Sequence, residues 1–159
     1  MKKTFFILAL ATVIVSCNNT NTKSNTEQAD TTVTSSTQQT TANADLFGTE
    51  WKLLELNGKT IKLDTAFKKE PVLVFEKGTE KLNGNGGCNG FMGSYKIKDN
   101  NGIELTLGGA TMMACPNLEL ENQFHDVLKQ TKSYHIEGDT LLLNNNAKAT
   151  IAKLEASAK

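Results

Sequence analysis

Cysteine, histidine and methionine carry the most distinctive chemistry in this chain of 159 residues, which holds 3, 2 and 4 of them respectively. Cys17 ends the tetrapeptide Ile14-Val15-Ser16-Cys17. It follows Lys2, Lys3 and an apolar run over residues 5–15 that is too short to span a bilayer. This arrangement reads as a secretory signal closed by a bacterial lipobox, in which the thiol takes a diacylglyceryl group and the new amino terminus a further acyl chain. Each buried methylene contributes about 0.8 kcal/mol, and two chains give stable anchoring. Cys17 is therefore the expected lipid-attachment residue, and residues 1–16 the expected signal peptide.

With Cys17 assigned to lipid, Cys88 and Cys115 remain as an even pair in an exported chain. A disulfide is the default in an oxidising compartment. Two alternatives stand beside it. A metal site would need a chance constellation with His125 or His135, because neither thiol has a second cysteine at finger spacing. A catalytic thiol lacks the Cys-x-x-Cys pattern of redox enzymes. Closing a loop of about 28 residues is worth roughly 3.6 kcal/mol by the chain-entropy estimate.

Other patterns carry less chemistry. Gly84-x-Gly86-x-x ends on Asn89 where a dinucleotide fingerprint needs glycine, and a strand follows where a helix is required. Gly58-Lys59-Thr60 resembles the end of a phosphate loop, but Leu53 holds the required upstream glycine position, so a hairpin turn is the better reading. No serine lies in a Gly-x-Ser-x-Gly context. Glu119 and Glu121 are explained by helix-end electrostatics. His125 is expected on the surface, one step off an apolar helix face. Met92, Met112 and Met113 flank the cysteines; core packing is the preferred role, with an adaptable contact surface or a copper site as alternatives. No cofactor is implied.

All 17 basic residues are Lys, against 17 acidic residues. The absence of Arg removes the bidentate fork that commonly reads phosphate and base edges, which argues against nucleic-acid binding. Residues 18–44 are Asn, Thr, Ser, Gln and Ala with a few charges, and Val33 is their only large apolar side chain. Such a segment cannot bury enough surface to fold. As a coil of about 27 residues it would reach roughly 26–31 Å, so residues 17–44 are expected to be a lipid-anchored tether.

The composition changes at about residue 45, and residues 45–155 are long enough for one domain with its own core. Strands are expected over 51–57, 59–63, 71–75, 81–85, 91–98, 103–107, 133–137, 140–143 and 149–154. The first should be buried on both sides. The turn residues Asn57-Gly58, Asp99-Asn100-Asn101-Gly102 and Gly138-Asp139 make neighbours antiparallel hairpins. Between residues 117 and 132, Leu120, Phe124, Val127 and Leu128 recur at helical spacing, with Asn117 as the cap. The fold class is thus mainly β with one amphipathic helix, an antiparallel curled sheet or cracked barrel with the helix over one opening. Glycines 84–93 should permit a bulge or bend where the sheet curls.

The run Gly84-Asn85-Gly86-Gly87-Cys88-Asn89-Gly90-Phe91-Met92-Gly93-Ser94-Tyr95, followed by Thr111-Met112-Met113-Ala114-Cys115, resembles the META domain, also called HslJ-like. Trp51, Phe75, Glu121, Phe124, Leu128, Tyr134, Leu141 and Leu143 fall in the order that family shows, over about residues 46–154. The resemblance implies a cracked-barrel envelope protein, related by name to heat-inducible bacterial proteins and a parasite virulence protein. It transfers no catalytic or cofactor residue. The expected function is a non-enzymatic envelope lipoprotein, an interaction or stress-response module on the periplasmic side of the outer membrane. Its expected partners are the membrane, through lipid, and an unidentified envelope protein. The alternative is a carrier of a small apolar ligand. If Trp51, Phe75, Phe91, Tyr95 and Phe124 fill the core, function falls on loops. The candidate interaction residues are then Asn85, Gly87, Asn89, Gly90, Thr111, Met112 and Met113, and Asn89→Ala should leave stability nearly unchanged.

Overall fold

The computed structural model describes residues 43–63, 67–116 and 118–158. The expected signal, Cys17, nearly all of the expected tether and the expected cap Asn117 lie outside them. Nine strands and one helix run in the order β1 (Glu50–Leu56), β2 (Lys59–Thr60), β3 (Val72–Phe75), β4 (Lys81–Asn85), β5 (Gly90–Lys98), β6 (Gly102–Ala110), α1 (Leu118–Gln130), β7 (Ser133–Glu137), β8 (Thr140–Asn144) and β9 (Thr150–Ala156). Every strand pairing is antiparallel, and β1 also pairs with β9, so the sheet curls into a ring.

The ring is nearly open at one seam. Strands β6 and β7 meet only at Gly102 and Ser133, flanked by Ile103 N–H to Lys132 O at 2.9 Å and Tyr134 N–H to Asn101 O at 3.0 Å. Helix α1 packs against β6 and β1. Its buried face is Glu121, Phe124, Val127 and Leu128. The apolar part of that face follows from the i, i+3, i+4 spacing. The helix thus packs on β6, one of the two strands that border the seam, and on β1.

Turn chemistry sets the hairpins. Asn57 and Gly58 both take positive φ, 49° and 76°, as a two-residue hairpin turn requires. Asn100 and Asn101 do so at 56° and 57° in the β5–β6 turn. Strand β2 is only two residues long, so the hairpin expected over 59–63 is much shorter.

The burial of β1 corrects another expectation. Its register with β9 shifts between Leu53 and Glu55, and this bulge turns Leu56 inward while leaving Leu54 40% exposed. The strand is buried on one side. A second irregularity lies between β5 and β6, where Met92 faces the pair Gly108 and Gly109 across the register shift. The glycines that absorb that bulge are thus on β6, outside the 84–93 run.

Side chains fill the interior. Trp51, Phe75, Phe124, Leu73, Leu141, Leu143 and Leu154 are fully buried, and Phe91 and Tyr95 nearly so. Phe75 meets Tyr95 edge-on with centroids 5.3 Å apart, and Phe91 meets Phe124 likewise at 6.1 Å. The Tyr95 hydroxyl shares its proton between the carbonyls of Glu76 and Thr79, at 2.9 and 2.6 Å. Trp51 Nε1 donates to Leu46 O at 3.1 Å.

Candidate functional site

Two segments meet at the end of the ring where β4 turns into β5 and β6 runs toward α1. In the first, Asn85 Oδ1 accepts from Gly87 N–H at 2.7 Å, and Gly86 N–H donates to Asn89 O at 2.9 Å. Gly87 has φ of 107°, which a side chain would strain. The second is the strap of residues 111–116. Cys88 and Cys115 join the two by a disulfide, with Cα atoms 6.2 Å apart.

Asn89 ties both segments to the helix. Its Oδ1 accepts from Thr111 Oγ1 at 2.8 Å and from Met113 N–H at 2.7 Å. Its Nδ2 donates to Met113 O at 3.2 Å and to Glu121 Oε1 at 2.9 Å. Its backbone N–H donates to Glu121 Oε2 at 2.7 Å. The amide thus uses both donors and both acceptor positions, and Asn89 is 2% exposed. Gly86 is glycine because a Cβ there would collide with the Glu121 side chain.

These contacts correct two expectations. Residues 85–89 are buried, so Asn85, Gly87 and Asn89 form a structural knot rather than an exposed loop, and Gly90 is half-buried at its edge. An Asn89→Ala change would consequently remove four side-chain hydrogen bonds, one of them to the buried Glu121, and is expected to lower stability. Thr111, Met112 and Met113 are exposed as expected.

The methionines differ from the core role preferred on composition. Met92 is 66% exposed, Met112 96% and Met113 46%. Met92 stands on the outer face of β5 beside a groove of about 540 Å³ lined by Lys81, Asn83, Thr106, Gly108 and Gly109. A further groove of about 450 Å³ runs past Met92 to Ala110 and Thr111. From there a cleft of about 420 Å³ continues past Met112 and Met113 to Glu121, Asn122 and His125. The three exposed thioethers thus flank grooves that share Ala110 and Thr111.

Glu121 and His125 were not among the residues expected at this site. Glu121 is 5% exposed, on the same face as Phe124 and Leu128. The legible signal was its position three and seven residues before those two. His125 is half-buried, its ring edge-on to Phe91 at 4.9 Å, and its Nε2 is buried without a hydrogen-bond partner. Burial pushes the imidazole below its ordinary pKa, while the nearby Glu121 charge opposes the shift. His135 is exposed and lies 3.5 Å from Glu137. Among the described residues, no group of three or more His, Cys, Asp or Glu side chains is placed to hold a metal ion.

The curled sheet, the helix packed on it and the Cys88-Asn89 knot coincide with a family match across residues 44–158, the META domain. The chain belongs to the META domain family. An NMR structure of a protein from Burkholderia xenovorans is similar to this chain at 25% identity and TM-score 0.55, covering 72% of this chain and 85% of that one. A crystal structure of a DUF4847 family protein from Bacteroides vulgatus ATCC 8482 shares the fold at 12% identity and TM-score 0.51, covering 72% and 96%. No curated protein matches. The META domain here is thus a ring whose knot is internal and whose thioether surface faces outward.

Proposed function

We propose that this META domain is a non-enzymatic interaction module of the cell envelope. It is held by lipid on Cys17 and works on the periplasmic side of the outer membrane. The observation that carries the reading is the exposure of Met92, Met112 and Met113 beside a backbone tied by the Cys88–Cys115 disulfide. Thioethers on flexible unbranched stems fit partners of varied shape. A rigid strap beneath them lowers the ordering cost of binding. The lipobox supports the anchor, and the aromatic core supports a surface function over a carrier's cavity.

Photo-crosslinking in intact cells tests the proposal. A photoreactive residue replacing Met112 should give a discrete protein adduct, and one replacing Glu137, which is far along the chain on exposed β7, should not. Equal labelling at both positions would reject a contact surface. Native mass spectrometry of protein isolated from its own membrane should show the bare lipoprotein; a reproducible bound small molecule would establish the carrier instead.

A further inference from the structure

Glu121 is a buried carboxylate outside every ion pair among the described residues. Its carboxylate accepts two hydrogen bonds, both from Asn89, at 2.7 and 2.9 Å. An ionised carboxylate has about four acceptor positions, so roughly half its capacity stays open. A buried charge without a counter-charge is costly. Glu121 is also one of the residues lining the 420 Å³ cleft whose other walls include Thr111, Met112, Met113, Asn122 and His125.

The cleft joins a buried carboxyl group outside any ion pair to apolar, polarisable walls. Its volume exceeds what a bare ion needs and lies within the range of small-ligand sites. His125 does not supply the missing cation, because burial favours its neutral form.

We propose that this cleft receives a basic side chain on an apolar stem, a lysine presented by the protein partner. The ammonium approaches the open positions of the Glu121 carboxylate, and the methylenes lie along the Met112 and Met113 thioethers. Charge complementarity selects this occupant, since an acidic or neutral side chain would leave Glu121 uncompensated. The inference rests on the interaction-module reading and names its partner's chemistry.

The test uses the full-length protein in detergent micelles with ¹³C-methyl methionine, titrated with acetyl-Gly-Lys-Gly-amide. Saturable shifts are expected at the Met112 and Met113 methyls, with Met92 as the internal reference. The same peptide with norleucine or glutamate in place of lysine should bind at least tenfold more weakly. Glu121→Gln should weaken the lysine peptide at least tenfold. Met112→Lys, at a position too exposed to disturb the fold, places the chain's own ammonium over the cleft and should block the peptide to a similar degree. If Glu121→Gln fails to fold, the Met112→Lys result decides.

Equal binding of the norleucine peptide, no saturable shift with the lysine peptide, or unchanged affinity in a folded variant would overturn the proposal. A discrete crosslink at Met112 without lysine-peptide binding would reject the cation cleft alone. Lysine-peptide binding without any crosslink would reject the envelope-partner reading alone.

Discussion

Asn89 shows how one amide can hold three segments. It joins its own loop to Thr111 and Met113 on the strap and to Glu121 on α1. Truncation to alanine would leave the Met113 N–H and C=O and the Thr111 hydroxyl without these bonds, and would strip Glu121 of one of its two donors. Each lost hydrogen bond costs about 0.5–1.5 kcal/mol, and the buried Glu121 oxygen, which loses a donor, costs more. Asn89→Ala should therefore lower unfolding stability by about 3 kcal/mol in urea titration, with an unchanged slope. A loss below about 0.5 kcal/mol would show that the knot is not a structural tie. The Gly-Cys-Asn run was conspicuous as a motif; its burial was not, because glycine and asparagine are also the ordinary residues of exposed turns.

At the level of elements, the strap between β6 and α1 is held twice, by Asn89 and by the disulfide. The chain between Cys88 and Cys115 comprises all of β5 and β6, the hairpin that borders the open seam. Cutting this link in the double variant Cys88→Ser, Cys115→Ser should cost about 3–4 kcal/mol through restored freedom of the unfolded chain. The oxidised and reduced wild-type proteins, compared by thermal melting, should differ by a similar amount. Coincident melting curves would place the strap's stability wholly in the Asn89 network. Elsewhere the element boundaries were largely legible. The helix, expected over 117–132, is described over Leu118–Gln130, and the hairpin turns fall at Asn57-Gly58, Asn100-Asn101 and Gly138. What periodicity missed were bulges. One inserted residue at Leu54 inverts the alternation downstream, so Leu56 rather than Glu55 faces the core.

For the whole molecule, the point where the described chain enters the domain is defined. Asn43 Oδ1 accepts from Gly138 N–H at 2.9 Å, and Ala44 N–H donates to Gly138 O at 2.7 Å, so the chain enters beside the β7–β8 turn. The strand directions place that turn opposite the knot: β8 and β9 run between Gly138 and the residue 145–149 turn, which bonds near the end of β1 through Asn57 N–H and Ile151 O. The thioether-bearing strap is thus at the far end from the entry point. Replacing Cys17 with alanine should abolish labelled-palmitate incorporation and leave the unprocessed precursor in cells. Equal labelling of variant and wild type would remove the lipid anchor from the proposal.

The linear sequence determined the elements because their signals are local. Asn-Gly and Asn-Asn turns need no tertiary partner to favour positive φ, and the Phe124, Val127 and Leu128 spacing defines an apolar helix face by itself. It also bounded the chemistry, through the even cysteine pair and the absence of Arg. Only the tertiary structure decided which polar residues are inside. Asn89 and Glu121 are 32 residues apart, and their mutual hydrogen bonds are what make burial of both tolerable. The same closure decided the fate of Met92, Met112 and Met113. Their composition suits a core, but the interior was already occupied by Trp51, Phe75, Phe124 and the aliphatic residues of the ring, and close packing left the thioethers outside.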